Sequence, residues 1–223
     1  MPQSNVVQDL CARILAAHNA DNRTLIAVAG PPGAGKSTIA AELVEALRAQ
    51  TNETFAALVP MDGYHLDNPD LQQKGLLAVK GAPETFDVTA FIELVKDVRS
   101  AGHDLKYPLF DRAQDKTLPA AATLPAAARI VVFEGNYLLL QHGAWAALSG
   151  MFDETVLLSV PLAVLRARLI ARWLDHGLTR QEAESRADGN DMVNARTVLE
   201  HSAPADHVLA TQPDGQIIIE TSR

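Results

Sequence analysis

Residues 30–37 read Gly-Pro-Pro-Gly-Ala-Gly-Lys-Ser, a match to G-x-x-x-x-G-K-[ST]. Each residue type in that pattern has a physical task. Gly30, Gly33 and Gly35 let the backbone take conformations closed to other residues. Main-chain N–H groups, that of Ala34 included, can then turn inward on phosphate oxygens. Lys36 supplies a mobile point charge for the outer phosphates, and the Ser37 hydroxyl can ligate Mg²⁺, with Thr38 beside it. A helix that starts here turns its positive end toward the same anion. The pattern predicts a nucleoside triphosphate, read as ATP, together with Mg²⁺. A glycine-rich turn before a surface helix is the plainer reading. A dinucleotide site fits less well, because its glycine spacing lacks the Lys-Ser pair.

Two acids follow at telling places. Asp62 comes after "ALVPM" and Glu134 after "RIVVF", each at the exit of an apolar run. Ligands of an open parallel sheet sit beyond the carboxyl ends of its strands, so Gly30, Asp62 and Glu134 should converge on one crevice. A carboxylate there can hold Mg²⁺ directly or through water. It can also accept a hydrogen bond from an incoming hydroxyl and orient it. Phosphoryl transfer has a loose transition state, so positioning and charge neutralisation carry most of the catalysis. Asp62 is assigned to the acceptor hydroxyl and Glu134 to the magnesium shell. The competing reading for each is a strand-end acid that caps the next helix.

These residues need elements to hold them. "TLIAVAG" (24–30) reads as a buried strand, "KSTIAAELVEALRAQ" (36–50) as an amphipathic helix, and "TFAALVPMDG" (54–63) as a second strand with its exit loop,. Together they form a parallel βαβ unit. A helix is expected over residues 4–19, a long loop over 64–86, and a helix capped by Asp87. A short strand is expected in 103–112, and a spacer loop in "TLPAAATLPAAA" (117–128). Further strands are expected in 129–140 and 154–160. A helix follows over 161–175, with Leu162, Leu165, Leu169 and Trp173 inward. A capping box from Thr179 to Glu182 starts the next helix near Arg180. A helix over 191–201 and two short strands complete the chain. The alternation argues for an α/β fold with a mostly parallel sheet, in a single domain over residues 1–223.

Bulk properties narrow the classes. The 223 residues carry a net charge of −8, which speaks against a duplex-binding surface,. The single cysteine, Cys11, falls on an apolar helical face with Val7, Leu10 and Ile14, and suits a reducing compartment,. No secretory signal and no membrane-spanning run is evident, so the chain is expected to be cytoplasmic, without nucleic-acid or membrane partners. The seven histidines show no metal-binding spacing.

The segments "GPPGAGKST", "PMDGYH", "YPLFDR" and "VVFEGNYLL", in that order, resemble the phosphoribulokinase, uridine kinase and pantothenate kinase group of P-loop kinases. The resemblance covers residues 24 to 210, and "KGAPETFD" (80–87) together with "EGNYLLL" (134–140) is most similar to a bacterial branch labelled fructose transport system kinases, or fructokinases. It implies a three-layer α/β/α P-loop NTPase fold, with a helical lid over about 161–200. It places the catalytic acid/base residue on Asp62 and acceptor contacts on Phe110 and Asp111, with Phe110 where the group has Tyr. Arg112 and His65 become acceptor contacts by their place beside these motifs. It implies arginines reaching the transferred phosphate from the lid, here Arg168 and Arg172, which share a helical face. A solvated basic face is the alternative for both. Asn190, Asp191 and Asn194 are either lid-lining residues or, for the first two, a helix N-cap. Adenine contacts are implied near "SAPADHVLAT" (202–211).

The leading expectation is an ATP-dependent phosphotransferase acting on a small-molecule hydroxyl. A sugar is the first choice of acceptor, and a nucleoside or a pantothenate-like alcohol the second; a homodimer is allowed for. The rival class is a regulatory P-loop ATPase without a phosphorylated product. No guanine-reading N-K-x-D and no L-S-G-G-Q signature supports a GTPase switch or a transporter ATPase.

Overall fold

The apolar runs become strands of one sheet in the computed structural model of the chain, which describes residues 5–18, 22–212 and 215–221. In chain order the elements are α1 (Asn5–Ala17), β1 (Thr24–Ala29), α2 (Lys36–Gln50), β2 (Ala56–Pro60), α3 (Asn68–Gln73) and α4 (Val88–Ser100). Then come β3 (Leu105–Asp111), β4 (Lys116–Leu124), β5 (Ile130–Gly135), β6 (Glu154–Ser159), α5 (Leu162–Asp175), α6 (Arg180–Arg186), α7 (Met192–His201), β7 (His207–Thr211) and β8 (Ile217–Thr221). The main sheet has the order β2-β5-β1-β6-β7-β8. All neighbours are parallel except β7 and β8.

A parallel sheet is covered on both faces, and its central strands are therefore apolar throughout. β1 is buried at every position. Ile26 and Val28 enter a core with α1, α2 and α5, including Leu43, Leu47, Leu165 and Leu169. Leu25, Ala27 and Ala29 enter a second core with Phe91, Phe133, Tyr137 and Trp145. This is the expected three-layer α/β/α arrangement. Cys11 is buried with Val7, Leu10 and Ile14, and burial raises its thiol pKa. No helix among the described residues is long and apolar enough to cross a membrane.

Four expectations are corrected. The supposed spacer forms β4, paired antiparallel with β3 in a separate two-stranded sheet. Its Pro119 lies at the register shift between Tyr107 and Leu109, where a missing N–H disturbs no regular ladder pair,. The loop over 64–86 contains α3, with Pro69 in its first turn, where proline's fixed φ suits a helix start. Leu162 is exposed rather than inward, because it opens the first turn of α5. The N-cap alternative for Asn190 and Asp191 gives way: no side-chain cap bond forms at the start of α7, and both belong to one π-helical turn, Ala187–Asp191, that runs α6 into α7.

Candidate active site

Register brings the sequence's candidates to one edge. Ala29 pairs with Gly135, and both Val28 and Pro60 pair with Glu134. Gly30, Asp62 and Glu134 therefore share the C-terminal edge of neighbouring strands. The loop after β1 is shaped by close approach. A side chain on Gly30 would meet Leu158 Cβ at 2.9 Å, and one on Gly33 would meet Leu169 at 3.2 Å. Gly35 has φ 94° and ψ 18°, left-handed backbone that precedes α2 without any side-chain cap,. The first-turn N–H groups of α2 thus face the loop's interior, with Ser37 and Thr38 exposed beside them. Ala34 N–H closes the loop's turn on the Pro31 carbonyl at 3.1 Å.

Lys36 is buried, and its Nζ donates to the Pro31 carbonyl at 3.0 Å. Burial lowers its pKa, while Glu134 and Asp62 act in the opposite direction, with Glu134 the stronger. Ser37 Oγ donates to Glu134 Oε1 at 3.1 Å. Glu134 is also buried, and burial raises its pKa against the pull of Lys36. Ser37 and Glu134 offer adjacent hard oxygen donors of the kind Mg²⁺ takes. Magnesium otherwise keeps water and substrate oxygens, so it needs no larger protein cage. Among the described residues, no cluster of three or more His, Cys, Asp or Glu side chains placed to hold a metal occurs.

Beside this loop lies a cavity of about 550 Å³, lined by Pro32, Asp62, His65, Phe110, Arg112 and, across from them, Arg172. Asp62 stands in its wall, its Oδ2 accepting from Arg112 Nη2 at 3.0 Å. His65 turns Nδ1 to the Asp62 carbonyl at 2.8 Å and lies between Phe86 and Phe110, with ring centroids 4.1 and 4.6 Å away. Burial lowers its pKa, so the ring is held toward its neutral form. Gly63 makes this arrangement fit: any β-carbon there would overlap the Pro108 carbonyl of β3.

The structure does not bring Asp111 to the cavity. Its carboxylate accepts from the N–H groups of Ala113 and Gln114 and from Gln114 Nε2, holding the turn between β3 and β4. Arg168 and Arg172 also part company. Arg172 lines the cavity, while Arg168 does not and instead donates to the Gly33 carbonyl of the phosphate loop at 3.3 Å. Arg166 is engaged by Asp188 through two bonds of 2.7 Å. The implied adenine segment begins at the wrong edge. Asp206 and His207 bond Thr155 and Glu154 at the start of β6, opposite the phosphate loop. Only its end, near Thr211, reaches the loop's side of the sheet.

Lys80 also lines the cavity. Lys80 bonds Asn68 Oδ1 at 2.7 Å and Asp115 Oδ1 at 2.8 Å, and lies 5.0 Å from the Phe110 ring centroid. This clasp ties the 77–81 loop to the β3–β4 hairpin. Tyr137 OH donates to the Gly81 carbonyl at 2.6 Å and Trp145 Nε1 to that of Pro83 at 3.0 Å, so "EGNY" and "KGAPETFD" support each other. Asn136, Asn190, Asp191 and Asn194 complete a polar lining. The lysine of "KGAPETFD" was visible in the sequence, but its contact with Asp115 depends on how the hairpin folds back.

A family model described as "Phosphoribulokinase / Uridine kinase family" matches residues 25–172. The fold is similar to the crystal structure of a "putative fructose transport system kinase" from Silicibacter sp. TM1040. The two are 44% identical at a TM-score of 0.86, over 93% of this chain and 98% of that one. "Uncharacterized protein YggC" of Escherichia coli (strain K12) is 37% identical, over 89% of this chain and 82% of its own length. "Putative uridine kinase C227.14" of Schizosaccharomyces pombe is 35% identical, over 93% of this chain and 92% of its own.

Proposed function

The chain belongs to the phosphoribulokinase / uridine kinase family of P-loop kinases, and from that premise we propose that it transfers the γ-phosphate of ATP to a hydroxyl of a sugar-like small molecule. The observation that carries this reading is the place of Asp62: in the wall of the cavity, close enough to the phosphate loop for its charge to act on Lys36. Arg112 engages Oδ2, which leaves Oδ1 to accept the hydrogen bond of the acceptor hydroxyl. The hydroxyl oxygen of the acceptor attacks the terminal phosphorus of ATP, and the bond from phosphorus to the oxygen bridging to the β-phosphate breaks. The hydroxyl proton passes to Asp62 and the electron pair leaves with ADP. A carboxylate is a weak base, but it serves a late proton transfer.

The Gly30–Gly35 backbone and the first turn of α2 cradle the phosphates. Lys36 and Arg172 meet the charge that spreads over the transferred group. Ser37 and Glu134 would hold Mg²⁺, which supplies charge neutralisation between the outer phosphates when bound. The sugar reading is supported by the amide-rich lining of Asn136, Asn190 and Asn194, and by the similarity to the protein from Silicibacter. A nucleoside is the second reading, favoured by the Phe110 ring in the wall, against whose edge a base can pack.

The test is ADP release from ATP and Mg²⁺ with sugars, nucleosides and pantothenate offered in turn. Release above the acceptor-free rate with one class supports the proposal. Equal release with every acceptor and with none would make the chain a regulatory ATPase instead.

A further inference from the structure

Asp191 occupies the last position of the π-helical turn between α6 and α7. Such turns are rare and concentrate at functional sites, because one extra residue per turn re-aims a side chain. Here it aims a carboxylate inward, and Asp191 is only 8% exposed. The carboxylate accepts from Trp173 Nε1 at 2.6 Å and from Arg172 Nη2 at 3.3 Å to both oxygens. Trp173 in turn lies under two guanidinium groups, those of Arg172 and Arg186, at 4.9 and 4.4 Å from its centroid.

Arg172 is therefore held from two sides, by a carboxylate and by an indole face. Its Nε is buried and has no partner among the described residues. A buried donor left unmet costs free energy, so the arrangement suits an anion that completes it. Arg172 shares the cavity with Asp62 and with Pro32 of the phosphate loop, and its charge acts on Lys36.

We infer that Asp191 is a positioning residue: it fixes the Arg172 guanidinium at the terminal-phosphate end of the cavity. The inference rests on the phosphotransferase reading above. An arginine side chain has several rotatable bonds to freeze before its guanidinium can act. A group fixed in advance meets the developing charge without reorganising at the moment of reaction. Asp191 lines the same cavity, and the role inferred for it runs through Arg172, which its carboxylate holds.

The test is a double-mutant cycle of R172A, D191A and R172A/D191A in the full chain. It reads kcat, melting temperature and the dissociation constants of Mg·ATP and Mg·ADP. D191A is expected to lower kcat about 10- to 100-fold, the worth of one well-placed charged hydrogen bond. The preference for ATP over ADP falls as well. R172A/D191A is expected to be no slower than R172A, with the same nucleotide preference. D191N, which keeps an oxygen for Trp173 but loses the charge, falls between wild type and D191A, and it replaces D191A in the cycle should that variant unfold. Losses that multiply in the double variant would overturn the inference, as would an unchanged kcat in R172A. Should wild type release no ADP above background with any acceptor, the transfer reading fails. The binding measurements then decide alone, and an ATP preference that D191A leaves unchanged overturns the inference about Asp191.

Discussion

Replacing Asp62 with Asn separates chemistry from binding and from folding. The exchange keeps the side chain's size and removes only its charge and basicity. Its folding cost is small: the bond to Arg112 joins side chains that are 30% and 72% exposed, and such pairs contribute less than about 1 kcal/mol. For a chain of this length that is about 2–4 °C in melting temperature. The Asp62 carbonyl still accepts from the His65 N–H at 3.1 Å and still meets Nδ1, so the local backbone stays in place. The cradle for ATP is main chain and Lys36, so ATP binding is expected to hold or tighten slightly as a nearby negative charge disappears. Loss of a positioned base, by contrast, costs about 10²–10⁴ in rate, or about 3–5 kcal/mol in the barrier. The assay is acceptor-dependent ADP release at saturating ATP, with ATP affinity by calorimetry and melting by scanning calorimetry on the same preparation. A D62N enzyme that keeps more than about a tenth of wild-type kcat would refute the role given to this carboxylate. So would one that no longer binds ATP.

Lys36→Ala removes the buried cation that meets the outer phosphates, and kcat should fall about 10²–10³-fold while the chain still melts cooperatively. Gly63→Ala places a methyl group on the Pro108 carbonyl. The overpacking costs about 2–3 kcal/mol, a melting temperature lower by about 4–12 °C, and turnover falls with it as Asp62 is displaced. The pH dependence of stability should carry a mark of His65. Its folded pKa is lowered by burial, so its contribution is full above the unfolded value of about 6.5 and is lost as pH falls through the folded value. Denaturant midpoints at neutral pH and on its acid side should therefore diverge more in wild type than in His65→Phe; equal divergence would dismiss the histidine as the cause.

Local signals in the sequence proved dependable where a single element decides the outcome. The buried β1, the helix beginning at Lys36, and the capping box from Thr179 to Glu182 stand where composition and spacing put them. The edge shared by Gly30, Asp62 and Glu134 followed from the rule for parallel sheets. Features that depend on two distant segments were not legible. β4 is rich in Ala and Pro and looks like a linker until β3 lies beside it. The pattern around Phe110 offered Asp111, yet the hairpin turn uses that carboxylate and brings Asp115 to the cavity instead. Asp191 stood open between a lid-lining residue and a helix N-cap. Its inward aim depends on a π-helical turn, which no spacing rule marks. Arg168 and Arg172 share a helical face, and only the packing of α5 against the phosphate loop tells them apart.

In the proposed reaction, phosphate passes to an alcohol held at Asp62. The most direct measurement is phosphorus NMR of the reaction mixture with ATP, Mg²⁺ and the acceptor that most stimulates ADP release. A new phosphate-ester resonance, growing in step with ADP and absent with D62N, is the predicted result. Inorganic phosphate as the sole new signal, formed at one rate with or without acceptor, would contradict it.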